Sequence, residues 1–328
     1  MSYPFAAGKI RVLEKRLLDA NEIERMADAP DAGAAFKVLS DTDIADNLTD
    51  VRMEEYGKAL DSDLVQTKKF LGTLALEPNL LRLLYLKYDF HNIKLLFKIK
   101  YGKQDMKDKA SPLGNEKFEE LSKLILENAE EVAVSPALVE VVNELKKEIK
   151  KNPRPSFIDR VSDTRYFEEL KKIAKKLKNQ FIADYIKWQI DIVNLRTLLR
   201  IKRMGKDNDY LKINLIDGGR IPADELVLQY GTDNEKFIEF LKEYFPPSQE
   251  KYIEDYIKHP DLWRLERDLE NLELNYIKKA KYITYGPELV LAYHYAKENT
   301  TKNIRLIMTG KLNEVSGEEI KERVREIY

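Results

Sequence analysis

Three stretches of the chain decide its fold: Asn92-Ile-Lys-Leu-Leu-Phe-Lys-Ile-Lys100, Asn194-Leu-Arg-Thr-Leu-Leu-Arg-Ile-Lys202 and Asn303-Ile-Arg-Leu-Ile-Met-Thr-Gly-Lys311. They align without gaps and stand a little over one hundred residues apart. Each opens on Asn, follows with an aliphatic residue, and carries a base at +2, large apolar residues at +4 and +5, and Lys at +8. An Asp stands three residues before the first two, Asp89 and Asp191, where the third has Thr300. A Gly-Lys pair follows or closes each stretch: Gly102-Lys103, Gly205-Lys206 and Gly310-Lys311. Asn is a poor helix-interior residue, so Leu/Lys-rich composition does not account for a threefold match there. Self-similarity of this kind means one structural unit built three times.

On a helix turning about 100° per residue, the apolar positions +1, +3, +4, +5 and +7 surround the Asn, and the bases at +2 and +6 share a narrow stripe on the far side. Asn92, Asn194 and Asn303 are therefore predicted to be buried, with Asp89 and Asp191 on the same arc. A buried amide left unpaired costs about 1–3 kcal/mol, and a buried carboxylate more, so both need partners. Asp and Asn at i, i+3 are close enough to serve each other. The expectation is a set of structural polar pins at Asp89, Asn92, Asp191, Asn194 and Asn303. The stripe of Lys94, Lys98, Arg196, Arg200 and Arg305 reads in two ways: a solvated face near a helix C-terminus, or a shared partner-binding surface presented by three equivalent helices.

The rest of the sequence agrees with an all-α chain. Gly 13 and Pro 12 are few for 328 residues, and few breakers favour long helices. Leu262, Leu265, Leu269, Leu272 and Tyr276 form one helical seam, and Ile10, Leu13 and Leu17 a shorter one. Breaks fall at Pro153 and Pro155, Gly218-Gly219, Pro246-Pro247 and Gly286-Pro287, and residues 105–114 and 206–217 read as loops. Ser-Asp-Thr occurs at Ser40 and at Ser162, each a candidate helix N-cap. The repeat divides the chain into helical domains at 1–105, 106–215 and 216–328.

Composition and missing motifs narrow the function. Lys+Arg 56 against Asp+Glu 57 gives a net charge of -1, against a strongly basic nucleic-acid binder. Apolar residues at 43% suffice for a packed core. Cys is 0, which excludes disulfides and thiolate metal sites, and His91, His259 and His294 lack ligand spacing, so no metal is expected. No signal peptide is visible, and no segment approaches the roughly 18 apolar residues of a membrane span. Lys103, Lys206 and Lys311 are followed by Gln, Asp and Leu, so no P-loop is present, and dinucleotide, zincin and nucleophile-elbow motifs are missing too. No catalytic residue and no cofactor is expected. A helical adaptor would also show repeats without motifs, but solenoid units run about 20–50 residues. An all-helical carboxylate enzyme would need Glu-x-x-His, which does not occur.

At Ala6-Ala-Gly-Lys-Ile-Arg11, Leu39-Ser-Asp-Thr42, Asp89-Phe-His-Asn-Ile-Lys94, Ile190-Asp-Ile-Val-Asn-Leu-Arg196, Tyr285-Gly-Pro-Glu288 and Lys302-Asn-Ile-Arg305 the sequence resembles the C subunit of the V/A-type rotary ATPases, known as the d subunit in the eukaryotic vacuolar enzyme. Thr300 and Gly310 depart from the repeat in its third copy. The resemblance implies three similar helical domains around a pseudo-threefold axis, forming a funnel. It implies a non-catalytic coupler whose partners are the central stalk subunits and the membrane proteolipid rotor ring. Such a chain would be cytoplasmic, peripheral to the membrane through its complex, and monomeric when isolated.

Overall fold

In the computed structural model, residues 3–42, 44–48, 51–102, 106–249, 251–252, 254–255, 259 and 261–328 are described. Lys103 and position 105, given above as a bound, lie outside them. Among the described residues there are helices, turns and loops and no strand. The main helices are α1 (Tyr3–Glu14), α2 (Ala20–Asp28), α3 (Ala32–Val38), α4 (Tyr56–Thr73), α5 (Pro78–Gly102), α6 (Pro136–Lys151), α7 (Pro155–Leu177), α8 (Gln180–Arg203), α9 (Asn234–Lys242), α10 (Leu262–Ile277), α11 (Pro287–Leu312) and α12 (Gly317–Arg323). The three repeated stretches fall in α5, α8 and α11, the three longest.

Local chemistry sets the helix ends. Pro155 and Pro287 sit at the first positions of α7 and α11, where a missing N–H costs nothing and φ is already helical. Asp19 and Glu22 form a reciprocal capping box on α2. The helix that precedes each long helix is joined to it by a turn with one positive φ: Ala75 (φ 50) before α5, Lys178 (φ 51) before α8 and Gly286 (φ 154) before α11. Lys178 is the left-handed C-cap of α7, Ala75 follows the last residues of α4, and Gly286 is the N-cap of α11.

The chain forms two compact units, Met1–Leu76 with Lys187–Tyr328, and Glu77–Ile186. In the first, α11 is the central element. Its burial runs around most of its girth because α1, α2, α3, α4, α10 and α12 pack against it. Met26, Leu39, Ile44, Leu60, Ile304, Ile307 and Met308 fill this core. In the second unit α5 and α7 make the main packing layer, with α6 laid on α7. Val142, Leu145, Phe167 and Leu170 are fully buried there or nearly so.

The structure corrects three sequence readings. The helix at the N-terminus buries Ala6, Ala7 and Ile10 and ends at Glu14, so Leu17 is no part of its seam. Residues 206–217 contain a short helix, Asn208–Lys212, capped by Asp207. The Ser-Asp-Thr at Ser162 lies inside α7 rather than at its start, because Pro155 already opens that helix. The copy at Ser40 does precede a short helix, Ala45–Leu48, and Thr42 Oγ1 accepts from the Ile44 N–H at 3.4 Å.

Candidate functional site

Asn92, Asn194 and Asn303 are each 0% exposed, and all three make the same pair of bonds. Asn92 Nδ2 donates to Ser111 O at 2.9 Å, and Asn92 Oδ1 accepts from the Ser111 N–H at 2.8 Å. Asn194 does likewise with Ile216 O and N–H, both at 2.8 Å. Asn303 binds Arg325 O at 2.9 Å and its N–H at 3.0 Å. A side-chain amide has the donor and acceptor spacing of a peptide group, so one Asn satisfies both polar groups of one buried loop residue. Three long helices thus clamp three following segments through identical chemistry.

The aspartates extend the first two clamps. Asp89 Oδ1 accepts from the Glu116 N–H at 2.9 Å and Oδ2 from Asn115 Nδ2 at 2.7 Å. Asp191 Oδ1 accepts from the Ile221 N–H at 3.0 Å and Oδ2 from Arg220 Nε at 2.8 Å. The register is the same in both loops: clamped residue, glycine, side-chain donor, N–H donor, at Ser111, Gly114, Asn115, Glu116 and at Ile216, Gly219, Arg220, Ile221. The glycine is dictated by space. A Cβ on Gly114 would lie 2.6 Å from Asp89 Oδ1, and one on Gly219 2.3 Å from Asp191 Oδ1. Burial pushes the Asp191 carboxyl above its ordinary value, while the Ile221 N–H and the Arg220 guanidinium pull it down. Arg220 is itself held against the Trp188 ring, 3.5 Å from its centroid, and donates to Tyr244 O at 3.1 Å.

Asp191 and Asn194 therefore do not serve each other, contrary to the sequence reading. Each turns to the loop, whose backbone N–H and C=O groups have no other means of satisfaction once buried. In the third copy, where Thr300 replaces Asp, two other amides hold the segment. Asn299 Nδ2 donates to Glu326 O at 2.7 Å, and Asn271 Oδ1 accepts from the Glu326 N–H at 2.9 Å. Gly310 has a reason as well: a Cβ there would meet Ile320 of α12 at 2.8 Å.

Four of the five stripe bases face carboxylates of this same chain. Lys94 Nζ lies 2.8 Å from Asp163 Oδ1 and Lys98 Nζ 2.7 Å from Asp159 Oδ1, both on α7. Arg200 pairs with Glu266 on α10, and Arg305 with Asp61 on α4. Arg196 has no carboxylate partner among the described residues, and its Nε is buried without a hydrogen bond. The pairings follow a cyclic rule. Helix α7, which leads into α8, packs on α5; α10, which leads into α11, pairs with α8; α4, which leads into α5, packs on α11. Further contacts obey it: Phe90 and Tyr166 with ring centroids 5.5 Å apart, Gln189 donating to Glu273 at 3.1 Å, and the buried pair Lys297–Asp63 at 3.0 Å. Sequence reasoning missed these acids and Arg220, because their register against a remote helix is set by tertiary packing. A glycine in the loop that follows each aspartate, Gly114 and Gly219, was the one sequence signal pointing to these loops.

Among the described residues no group of three or more His, Asp or Glu side chains could hold a metal ion, and no helix is long and apolar enough to cross a membrane.

Comparison with known proteins identifies the family. The family model of the ATP synthase (C/AC39) subunit matches residues 6–323. The C subunit of the V-type sodium ATPase of Enterococcus hirae is 24% identical, with 100% of this chain and 99% of that protein aligned. The C subunit of the A-type ATP synthase of Pyrococcus furiosus is 24% identical over 99% of this chain and 90% of its own. That of Methanocaldococcus jannaschii is 24% identical over 97% and 85%. The resemblance read from the repeated stretches is thereby confirmed: the chain belongs to the ATP synthase (C/AC39) subunit family.

Proposed function

We propose that this chain is the non-catalytic coupling subunit of a V/A-type rotary ATPase, which joins the central stalk to the membrane proteolipid ring and passes torque between ATP chemistry and ion movement. The observation that carries the reading is the threefold clamp. A torque-bearing connector needs a body that does not shear, and each clamp ties a long helix to a distant loop through two hydrogen bonds on one buried residue. The cyclic helix pairing supports three helical domains, divided near 105 and 215, about a pseudo-threefold axis. The funnel, with one end for the stalk and the other for the ring, is what the family resemblance implies for such a chain and is part of this proposal. Asp89, Asn92, Asp191, Asn194 and Asn303 act in it as register pins rather than as acid–base groups.

The basic stripe divides under this reading. Lys94, Lys98, Arg200 and Arg305 lock neighbouring helices together, and Arg196 remains to meet a partner. Capture of the purified stalk subunits by the isolated chain tests it. Arg196→Glu is expected to weaken capture by at least tenfold at unchanged circular dichroism, since mispaired charge at an interface costs several kcal/mol. Undiminished capture by this variant would place Arg196 outside the interface, and no capture by the wild-type chain would remove the stalk from the partners.

A further inference from the structure

Helix α1 buries Ala6, Ala7 and Ile10, yet its outer face is not polar throughout. Phe5 is 57% exposed and Val12 56%, with Lys9 between them and its ammonium 5.1 Å from the Phe5 ring centroid. The turn that leads into α11 adds Tyr282, 91% exposed, and Tyr285. Arg11 bolts this turn to α1. It donates to Ala280 O at 3.3 Å, Lys281 O at 3.0 Å and Ile283 O at 2.9 Å, and its other nitrogen lies 2.7 Å from Glu14. Half of the large apolar side chains exposed among the described residues belong to these two elements, and they are held together rather than scattered.

The exposed charge on α1, the two residues after it and this turn has one sign. Lys9, Lys15, Arg16, Lys279 and Lys281 are exposed, and none of them pairs with a carboxylate among the described residues. Residues 278–286 contain no acid, and the carboxylate within α1 is Glu14, whose side chain is 11% exposed and committed to Arg11. Protein interfaces draw on both signs and on amides to fix register. Here cations on long apolar stems alternate with Phe and Tyr, the set that inserts its rings at headgroup depth while the ammonium groups reach phosphates. We infer that the outer face of α1 and the 279–285 turn form a docking surface for an anionic lipid bilayer. The occupant is argued from charge and aromatic complementarity alone, so the inference does not depend on the coupling role.

The test is sedimentation of the isolated full chain with vesicles of phosphatidylcholine, with and without phosphatidylglycerol. Binding is expected only to the anionic vesicles and should fall as salt screens the surface charge. Each basic residue near an anionic surface contributes about fivefold, so Lys279→Glu with Lys281→Glu should weaken binding by roughly 25-fold or more. Phe5→Ser with Tyr282→Ser should weaken it too, and these exposed positions leave the unfolding midpoint unchanged. The inference is overturned by equal binding to neutral vesicles, by no binding to anionic ones, or by undiminished binding of the variants. It is also overturned if lipid-free proteolipid ring captures the chain through these residues while vesicles do not, since the occupant is then a protein. Any of these results leaves stalk capture, and hence the coupling reading, standing.

Discussion

Asn194→Leu probes the clamp most sharply. The side chain is fully buried and its amide is the partner of both polar groups of Ile216. Leucine has the same branched shape and number of heavy atoms but is somewhat larger, so no cavity opens. What changes is that a buried N–H and a buried C=O lose their partners together. At about 1–3 kcal/mol for each unsatisfied group the gross cost is roughly 2–6 kcal/mol. Burial of the extra apolar surface returns about 1–2 kcal/mol, so the net loss expected at the middle of these ranges is roughly 2.5 kcal/mol. Urea unfolding measures it, and hydrogen exchange locates it: the Ile216 amide should exchange much faster in the variant while amides of α11 keep their protection. Asn194→Asp keeps the acceptor and sets a carboxylate oxygen against Ile216 O, so it should destabilise at least as strongly. A loss within about 0.5 kcal/mol, the range of an ordinary surface change, with Ile216 still protected, would refute the clamp.

The glycine requirement gives a paired test. Gly219→Ala should cost about 1–3 kcal/mol because its Cβ would stand 2.3 Å from Asp191 Oδ1, whereas Gly72→Ala, in open space near the end of α4, should stabilise by up to about 1 kcal/mol. Equal effects of the two on the unfolding midpoint would contradict the close approach. Asp191 predicts a pH dependence. Its folded value is raised above the ordinary 3.8, so its favourable contribution is complete below that value and is lost as pH rises through the folded one. The stability of wild type relative to Asp191→Asn should therefore fall as pH rises upward from 3.8, and a difference that grows with pH would reverse the assignment.

How much of this the sequence discloses follows from where each interaction lies. The repeated Asn was legible because it violates local propensity at three matched positions, and a violation needs a reason from outside the helix. Its partner was not legible. Asp191 stands one turn from Asn194, and proximity along the helix suggested a pair, but the backbone of Ile216 and Ile221 had the stronger need for both groups. Loop 105–114 was visible only as a polar run with Pro112 and Gly114, and 206–217 only as a polar run that ends before Gly218-Gly219. Nothing local shows that Ser111 or Ile216 would be drawn under a helix. The Lys94 and Arg305 stripes were visible as stripes, yet Asp163 and Asp61 lie on helices that lead into different repeats, and only packing brings them opposite. Helix α1 misled for a related reason: Leu17 fits a seam with Ile10 and Leu13, but the helix ends at Glu14, and Ala6 and Ala7 with Ile10 make its buried face.

The most direct measurement of the central claim is ion pumping by a reconstituted rotary ATPase assembled with and without this chain. The chain carries no phosphate-binding loop, and the proposed role asks of it stiffness and two partner surfaces rather than chemistry. Omitting it should leave ATP hydrolysis by the soluble head intact and abolish ATP-driven ion movement across the membrane, and adding it back should restore pumping. Full pumping by a complex shown to lack the chain, or tight ATP binding by the purified chain, would contradict the account.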